Sequence, residues 1–336
     1  MTCLPTARPQ AALLSPPPLP GCMEYAVTLD SVTKRFGAHT AVQQLSLRIP
    51  KGQIYGFIGQ NGAGKTTTIR MIMSIFYPDE GSLSVLGSER PEAVKDRLGY
   101  LPEEKGLYKS MRVGEIVAYF GRLKGMDSKA AKTRAEDLLR RYGLGDWIKA
   151  KCQTLSKGMG QKVQIIGTII HDPELVILDE PFSGLDPVNM ETMRDTILDM
   201  KREGRTVIFS THEMERAEEL CDHVFMIHRS KKVFDGPLAE VKKGDGEGIH
   251  LAYEGDGRVF GELRDQGLLS RINDAGKEAE LFPAKGVDPQ QILRRLVDRV
   301  TVRKFDLREA SLHEIFVRRV AEAEAARASA PQEVTR

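Results

Sequence analysis

The sequence predicts an α/β fold: a parallel core sheet, an antiparallel β layer beside it, an all-helical insert, and a small C-terminal α/β unit. Three observations predict it. Between Leu175 and Ile227 short apolar runs alternate with helical stretches, the rhythm of parallel strands covered on both faces. The glycine-rich run Gly59-Gln60-Asn61-Gly62-Ala63-Gly64-Lys65-Thr66 follows the β-prone segment Gln53 to Ile58. It precedes Ile69, Ile72, Met73 and Phe76 at helical spacing, giving strand, turn and helix in order. From about Val113 to Ile170 the period is helical.

Taken in order, residues 1–22 hold six of the 17 prolines and read as a disordered tail. Regular patterning starts at Met23, which is an alternative start to Met1. Val27 to Ile58 is strand-rich, with alternating Leu45, Leu47 and Ile49 before the turn at Pro50-Lys51-Gly52. Ser82 to Leu86 and Leu98 to Leu101 read as further strands, and the insert as helices Val113 to Lys124, Ser128 to Tyr142 and one opening near Ser156 as N-cap. Strands Leu175 to Leu178, Val207 to Ser210 and Val224 to Ile227 then enclose helices Met190 to Arg202 and Glu213 to Leu220.

The polar, glycine-rich stretch from Lys242 to Gly248 marks a break. Beyond it, strands are expected at Ile249 to Tyr253, Glu280 to Phe282 and Val300 to Phe305. Helices are expected near Glu262 to Ile272, Pro289 to Asp298 and Leu312 to Val320. This divides the chain into a tail (1–22), a nucleotide-binding domain (23–243, helical part about 105–172), a small α/β domain (244–322) and a flexible end (323–336).

Composition narrows the partners. Formal net charge is +2, from 49 basic and 47 acidic residues, so nucleic acid is not an expected main partner. Cys3, Cys22, Cys152 and Cys221 lack C-x-x-C spacing and suit a reducing cytoplasm. No apolar run reaches the roughly 18–20 residues that span a bilayer; the longest candidate, Val163 to Ile170, contains Gln164, Gly167 and Thr168.

The run from Gly59 to Thr66 fits the phosphate-loop pattern G-x-x-x-x-G-K-[ST]. Glycines let backbone N–H groups curl around a phosphate, and the helix N-terminus adds partial positive charge. Lys65 reaches the β/γ-phosphates, and the Thr66 hydroxyl suits Mg²⁺. Gly59, Gln60, Asn61, Gly62, Ala63, Gly64, Lys65, Thr66 and Thr67 are therefore the expected nucleoside-triphosphate contacts. Leu175 to Leu178, followed by Asp179-Glu180, reads as a buried strand presenting acids at its C-terminal edge, where ligands bind in open α/β sheets. Asp179 suits Mg²⁺ and Glu180 suits the water that attacks the γ-phosphate.

Further motifs carry a resemblance. Leu155-Ser156-Lys157-Gly158-Met159 resembles the LSGGQ signature of ATP-binding-cassette (ABC) proteins, Ser183 to Pro187 their D-loop, and Ser210-Thr211-His212 their H-switch. Order and spacing agree with an ABC ATPase, a P-loop NTPase fold, over about Val27 to Pro237.

The resemblance implies that two nucleotide-binding domains stack head to tail around ATP. Ser156 and Gly158 would then touch the partner's γ-phosphate, and His212 would sense it. It also implies that Phe36 stacks on adenine, where a core phenylalanine is the competing reading. Tyr100-Leu101-Pro102-Glu103 stands where the family has Tyr-x-Pro-Gln, so Glu103 replaces the glutamine that links Mg²⁺ to the membrane partner. Lys157 and Met159 likewise replace a glycine and a glutamine.

These variants, Glu104 to Tyr108, and Ser311 to Phe316 are similar to the ATPases of ABC-2-type exporters, such as sodium-extrusion and daunorubicin-resistance proteins. That branch implies an ATP-hydrolysing subunit on the cytoplasmic face of the cell membrane. It would be docked on a separate ABC-2-type permease and paired with a second copy or a paralogue. A non-transport ABC ATPase and a nucleotide-binding regulator with little hydrolysis are the alternatives.

Overall fold

The computed structural model describes residues 24–104, 106–243 and 247–328. The proline-rich segment 1–22, the residues of the expected break at 244–246, and the end from 329 onward lie outside them. In chain order the elements begin with β1 (Tyr25–Phe36), β2 (His39–Pro50), β3 (Ile54–Ile58), α1 (Lys65–Ile72), β4 (Glu80–Val85) and β5 (Leu98–Leu101). The helical insert follows: α2 (Val113–Leu123), α3 (Ser128–Arg141) and α4 (Lys157–Ile169). The α/β rhythm then resumes with β6 (Leu175–Leu178), α5 (Pro187–Arg202), β7 (Thr206–Thr211), α6 (Met214–Leu220), β8 (His223–His228), β9 (Lys231–Pro237) and α7 (Leu238–Lys243). The C-terminal part comprises β10 (Glu247–Glu254), α8 (Arg258–Asp265), β11 (Leu269–Asp274), β12 (Glu278–Pro283), α9 (Pro289–Val297), β13 (Thr301–Glu309) and α10 (Leu312–Ala328).

The strands form three sheets. The central one runs β5-β6-β7-β3-β8-β9, parallel except for β9. Its inner strands are apolar on both faces, and β3, β6 and β7 are buried throughout, as a doubly covered parallel sheet requires. One face (Tyr55, Phe57, Ile177, Ile208, Phe225) packs against α1 and the antiparallel layer β2-β1-β4 through Leu29, Val32 and Leu45. The other face (Ile54, Val176, Leu178, Phe209) packs under Met193 and Ile197 of α5 and Ala217 of α6. The third sheet, β11-β12-β10-β13, is antiparallel, and α8 and α9 supply Phe260, Leu263, Ile292 and Leu296 to its core. The final helix returns to the central domain: Leu312, Ile315 and Phe316 of α10 are buried in the same cluster as α6, and the Leu312 N–H donates to Glu218.

Three sequence expectations are corrected here. The helix expected near Glu262 to Ile272 is α8 followed by β11: the chain turns at Gly267 (φ +73) and Leu269 starts a strand. A positive φ favours glycine and stops a helix. β9 appears where no strand is expected, because its exposed polar residues belong to a sheet edge. α5 begins at Pro187, not Met190, since the Asp186 carboxylate accepts from the Asn189 N–H and Pro suits the first turn.

Candidate active site

The topology brings the motifs together before any side chain is considered. β7 lies between β3 and β6, so the phosphate loop after β3, the acids after β6 and the end of β7 emerge side by side at one sheet edge. The loop itself depends on missing side chains. A Cβ on Gly59 would lie 2.4 Å from the Ile227 carbonyl oxygen, and one on Gly64 (φ +117) 2.5 Å from that of Ala41. Both distances are shorter than non-bonded carbon and oxygen atoms approach, so the loop packs only with glycine at these positions.

Lys65 opens α1 and is buried. Its ammonium donates to the Gly59 carbonyl at 2.6 Å and lies 3.3 Å from Glu180 Oε1. The other carboxylate oxygen of Glu180 meets His212 Nδ1 at 3.1 Å. Glu180 thus stands between a cation from the phosphate loop and an imidazole from the end of β7. Its backbone is held in the left-handed region (φ +47), a conformation that costs of order 1–3 kcal/mol for a non-glycine residue and clusters at functional sites. A Ser210 hydroxyl fixes it by accepting from the Glu180 N–H at 2.9 Å.

The same hydroxyl donates to Asp179 Oδ1 at 2.5 Å, and Thr66 Oγ1 stands 3.4 Å from that oxygen. Asp179 is 0% exposed, and its burial raises the carboxyl pKa, opposed by the Ser210 and Thr66 hydroxyls. Its second oxygen, Oδ2, is buried without a hydrogen-bond partner among the described residues. An orphaned, desolvated carboxylate oxygen beside a threonine hydroxyl suits a small hard cation. Thus Asp179 and Thr66 fit Mg²⁺; Thr66 and Glu103 line one cleft, whereas Asp179 is fully buried and reaches it only beside Thr66. Among the described residues no group of three or more His, Cys, Asp or Glu side chains could hold a metal by itself.

The cleft holds about 420 Å³ and is walled by Gln60, Asn61, Gly62, Gly64, Lys65, Thr66 and Thr67, with Glu180 and Glu103 across from them and Phe36 and His39 at one rim. Gly59 and Ala63 of the loop, expected as contacts, and His212 do not line the cleft, and Ala63 is buried. Phe36 is no core residue: it is 43% exposed, and its ring is braced edge-on by Phe76 at 5.2 Å. Ser156 and Gly158 do not line this cleft. Ser156 caps α4, accepting from the Met159 N–H at 3.3 Å, and is exposed. Gly158 is buried, and a Cβ there would meet Asn189 at 2.2 Å. Lys157 crosses Gly184, where a Cβ would be 2.1 Å from its ammonium.

Two residues at the site receive no role from the sequence reading. Ser210 organises both acids, and the sequence marks it only as the first residue of the H-switch resemblance. His39 opens β2 beside the cleft, and a single histidine in a turn carries no pattern.

A phosphate loop, a buried strand ending in two acids and a histidine on the neighbouring strand define a P-loop ATPase. Comparison with known proteins narrows the class. The sequence matches the ABC transporter family over residues 42–183 and the C-terminal domain of DrrA1-3-like ATP-binding proteins over residues 236–320. It is 40% identical over 294 residues to the uncharacterized ABC transporter ATP-binding protein YhaQ of Bacillus subtilis, covering 88% of this chain and 98% of that one. It is 32% identical over 296 residues to the Nod factor export ATP-binding protein I of Burkholderia lata, covering 87% and 96%. A solved structure of the ATP binding subunit of an ABC transporter superposes with a TM-score of 0.59 at 28% identity, covering 66% of this chain and 93% of that one. The chain belongs to the ABC transporter ATP-binding proteins, and carries a C-terminal domain of the DrrA1-3-like type. Among the described residues no helix is long and apolar enough to cross a membrane.

Proposed function

We propose that this chain is the ATP-hydrolysing subunit of an ABC exporter and drives a separate ABC-2-type permease from the cytoplasmic face of the membrane. The observation that carries the proposal is an asymmetry. Everything needed to hold a triphosphate from one side converges in one cleft, while the Ser156-capped tip of α4 lies exposed outside it. A second copy, or a paralogue, turned head to tail brings its own Ser156 hydroxyl and Gly158 N–H to the γ-phosphate as a helix N-terminus.

Within the cleft, Lys65 and the loop N–H groups bind and orient the β- and γ-phosphates. Glu180, held by Ser210 and His212, accepts the proton of the attacking water. Asp179 and Thr66, with Glu103 nearby, would hold Mg²⁺, which when bound offsets phosphate charge. Because these residues supply few ligands, the ion would share its coordination with the nucleotide.

Coupling to a membrane partner has a physical route. Glu103 lines the nucleotide cleft, and its neighbours Pro102 and Glu104 line a separate groove of about 270 Å³ with Tyr100, Phe120 and Leu123. Leu123 is 64% exposed and Tyr108, nearby in the chain, 60%. This apolar groove beside the edge strand β5 suits a helix of the permease, and one backbone segment then serves both sites. Export is supported by the likeness to the Nod factor export protein.

The test is dimerisation of Glu180→Gln by light scattering. Closed dimers are expected with ATP and not with ADP, because the γ-phosphate is the bridge between the two copies. Equal dimerisation with both nucleotides overturns the proposal. A regulator with little hydrolysis is the second reading, favoured by Glu103 and Lys157 at positions where the family has glutamine and glycine. ATP turnover that is absent in wild type as well as in Glu180→Gln would select it.

A further inference from the structure

We propose that His39 is a second nucleoside-recognition residue and forms with Phe36 a two-ring rim that selects the nucleoside part of the nucleotide. The inference rests on the reading that the cleft binds ATP. β1 ends at Phe36 and β2 begins at His39, joined by Gly37 and Ala38, with Gly37 in the left-handed region (φ +58). Phe36 and His39 are the terminal register pair of this hairpin. Directly opposed residues of an antiparallel pair project from the same face, with side chains in contact range. Both line the nucleotide cleft, and Ala41, two residues further along β2, lines it as well.

The two rings differ in what they offer. Phe36 supplies a flat apolar face, and its orientation is braced by Phe76 at 71° and by the Lys34 ammonium 5.5 Å from its centroid. A phenyl face stacks on any base and reads no hydrogen-bonding group. His39 adds a ring nitrogen as donor or acceptor. Its side chain is exposed and makes no hydrogen bond or ion pair among the described residues, so its nitrogens are available to a ligand at the rim. The phosphate-binding residues stand on the loop from Gln60 to Thr67, so a nucleotide anchored there by its triphosphate presents its ribose or base edge to the hairpin. Hydrogen bonding to the nucleoside is the assigned role, with ribose hydroxyl and base edge sharing the same chemistry.

The experiment is calorimetric titration of the full chain and its variants with ATP, 2′-deoxy-ATP and inorganic tripolyphosphate. His39→Ala is expected to weaken ATP by about 5–10-fold, the scale of one net hydrogen bond, and to leave tripolyphosphate unchanged. His39→Phe, which keeps a ring and removes the nitrogens, is expected to lose most of the same factor. If 2′-deoxy-ATP binds the wild type more weakly than ATP and this difference vanishes in His39→Ala, the ribose is the partner; if the difference persists, it is the base. An unchanged ATP affinity in His39→Ala, or an equal loss for ATP and tripolyphosphate, overturns the inference. The underlying reading fails separately: it predicts that Lys65→Ala abolishes tripolyphosphate binding, and a Lys65→Ala variant that retains it removes the ATP site itself.

Discussion

The phosphate loop and the tip of α4 are both helix N-termini with polar residues at their start, yet the structure finishes one and leaves the other open. At the phosphate loop the lysine is buried and touches two backbone carbonyls and a carboxylate, and Ser210 ties down the Asp179 carboxylate and the Glu180 N–H. At α4 the capping serine is exposed, its neighbouring lysine has no ion-pair partner among the described residues, and the first turn carries no acid. On the proposed function, the first arrangement holds the nucleotide and the second meets it only from a partner's side, so that two helix N-termini would divide the work into holding and reporting.

Substitutions can break that contrast in order of expected size. Lys65→Ala removes a buried cation from the finished side, 3.3 Å from the Glu180 carboxylate. ATP affinity is expected to fall by about 10²–10³-fold, measured with the monomeric chain. Ser156→Ala acts on the open side: turnover is expected to drop by about 10-fold, the scale of a hydrogen bond to a charged group, while nucleotide affinity of the monomer stays at the wild-type value. A loss of monomer affinity would show that Ser156 belongs to the same cleft as Lys65.

Ser210→Ala tests the scaffolding behind the finished side. It frees the Glu180 N–H and one Asp179 oxygen, so destabilisation of about 1–3 kcal/mol is expected in denaturant titration, together with slower turnover. Asp179→Asn gives the smallest shift and the opposite sign. Burial raises the Asp179 pKa, so the folded state binds the proton more tightly than the unfolded chain. The ionised carboxylate therefore weakens the fold increasingly as pH rises above the ordinary value of 3.8. The variant is expected to be more stable by roughly 0.5–2 kcal/mol near neutrality, with the gain shrinking on acidification and turnover lost. A variant less stable than wild type at pH 7 would refute the desolvation argument.

Much of this was legible in the sequence because it is local. A phosphate loop is one turn between a strand and a helix, so Gly59 to Thr66 carries its own context, and Asp179-Glu180 ends an unmistakably apolar strand. Ser156 as a cap is equally local. Ser210 is not: its importance exists only because Leu178 pairs with Phe209, which sets one strand end beside the other. His39 likewise comes into view only through the cleft that it lines. Strand β9 escapes because edge strands need no apolar alternation, and β11 because Leu268, Leu269 and Ile272 fit helical spacing as well as a half-buried strand. Pairing between distant segments is the information a single sequence hides.

The last helix has a consequence for how the protein is made. Leu312, Ile315 and Phe316 complete a core begun by β3, β6, β7 and β8, while the C-terminal sheet builds a separate cluster of its own. A ribosome adding about 5–20 residues per second needs roughly 4–15 s to travel the roughly 70 residues from the end of α7 to Phe316. Throughout that interval the nascent cassette exposes an apolar flank, open to chaperones and to its neighbours on the polysome.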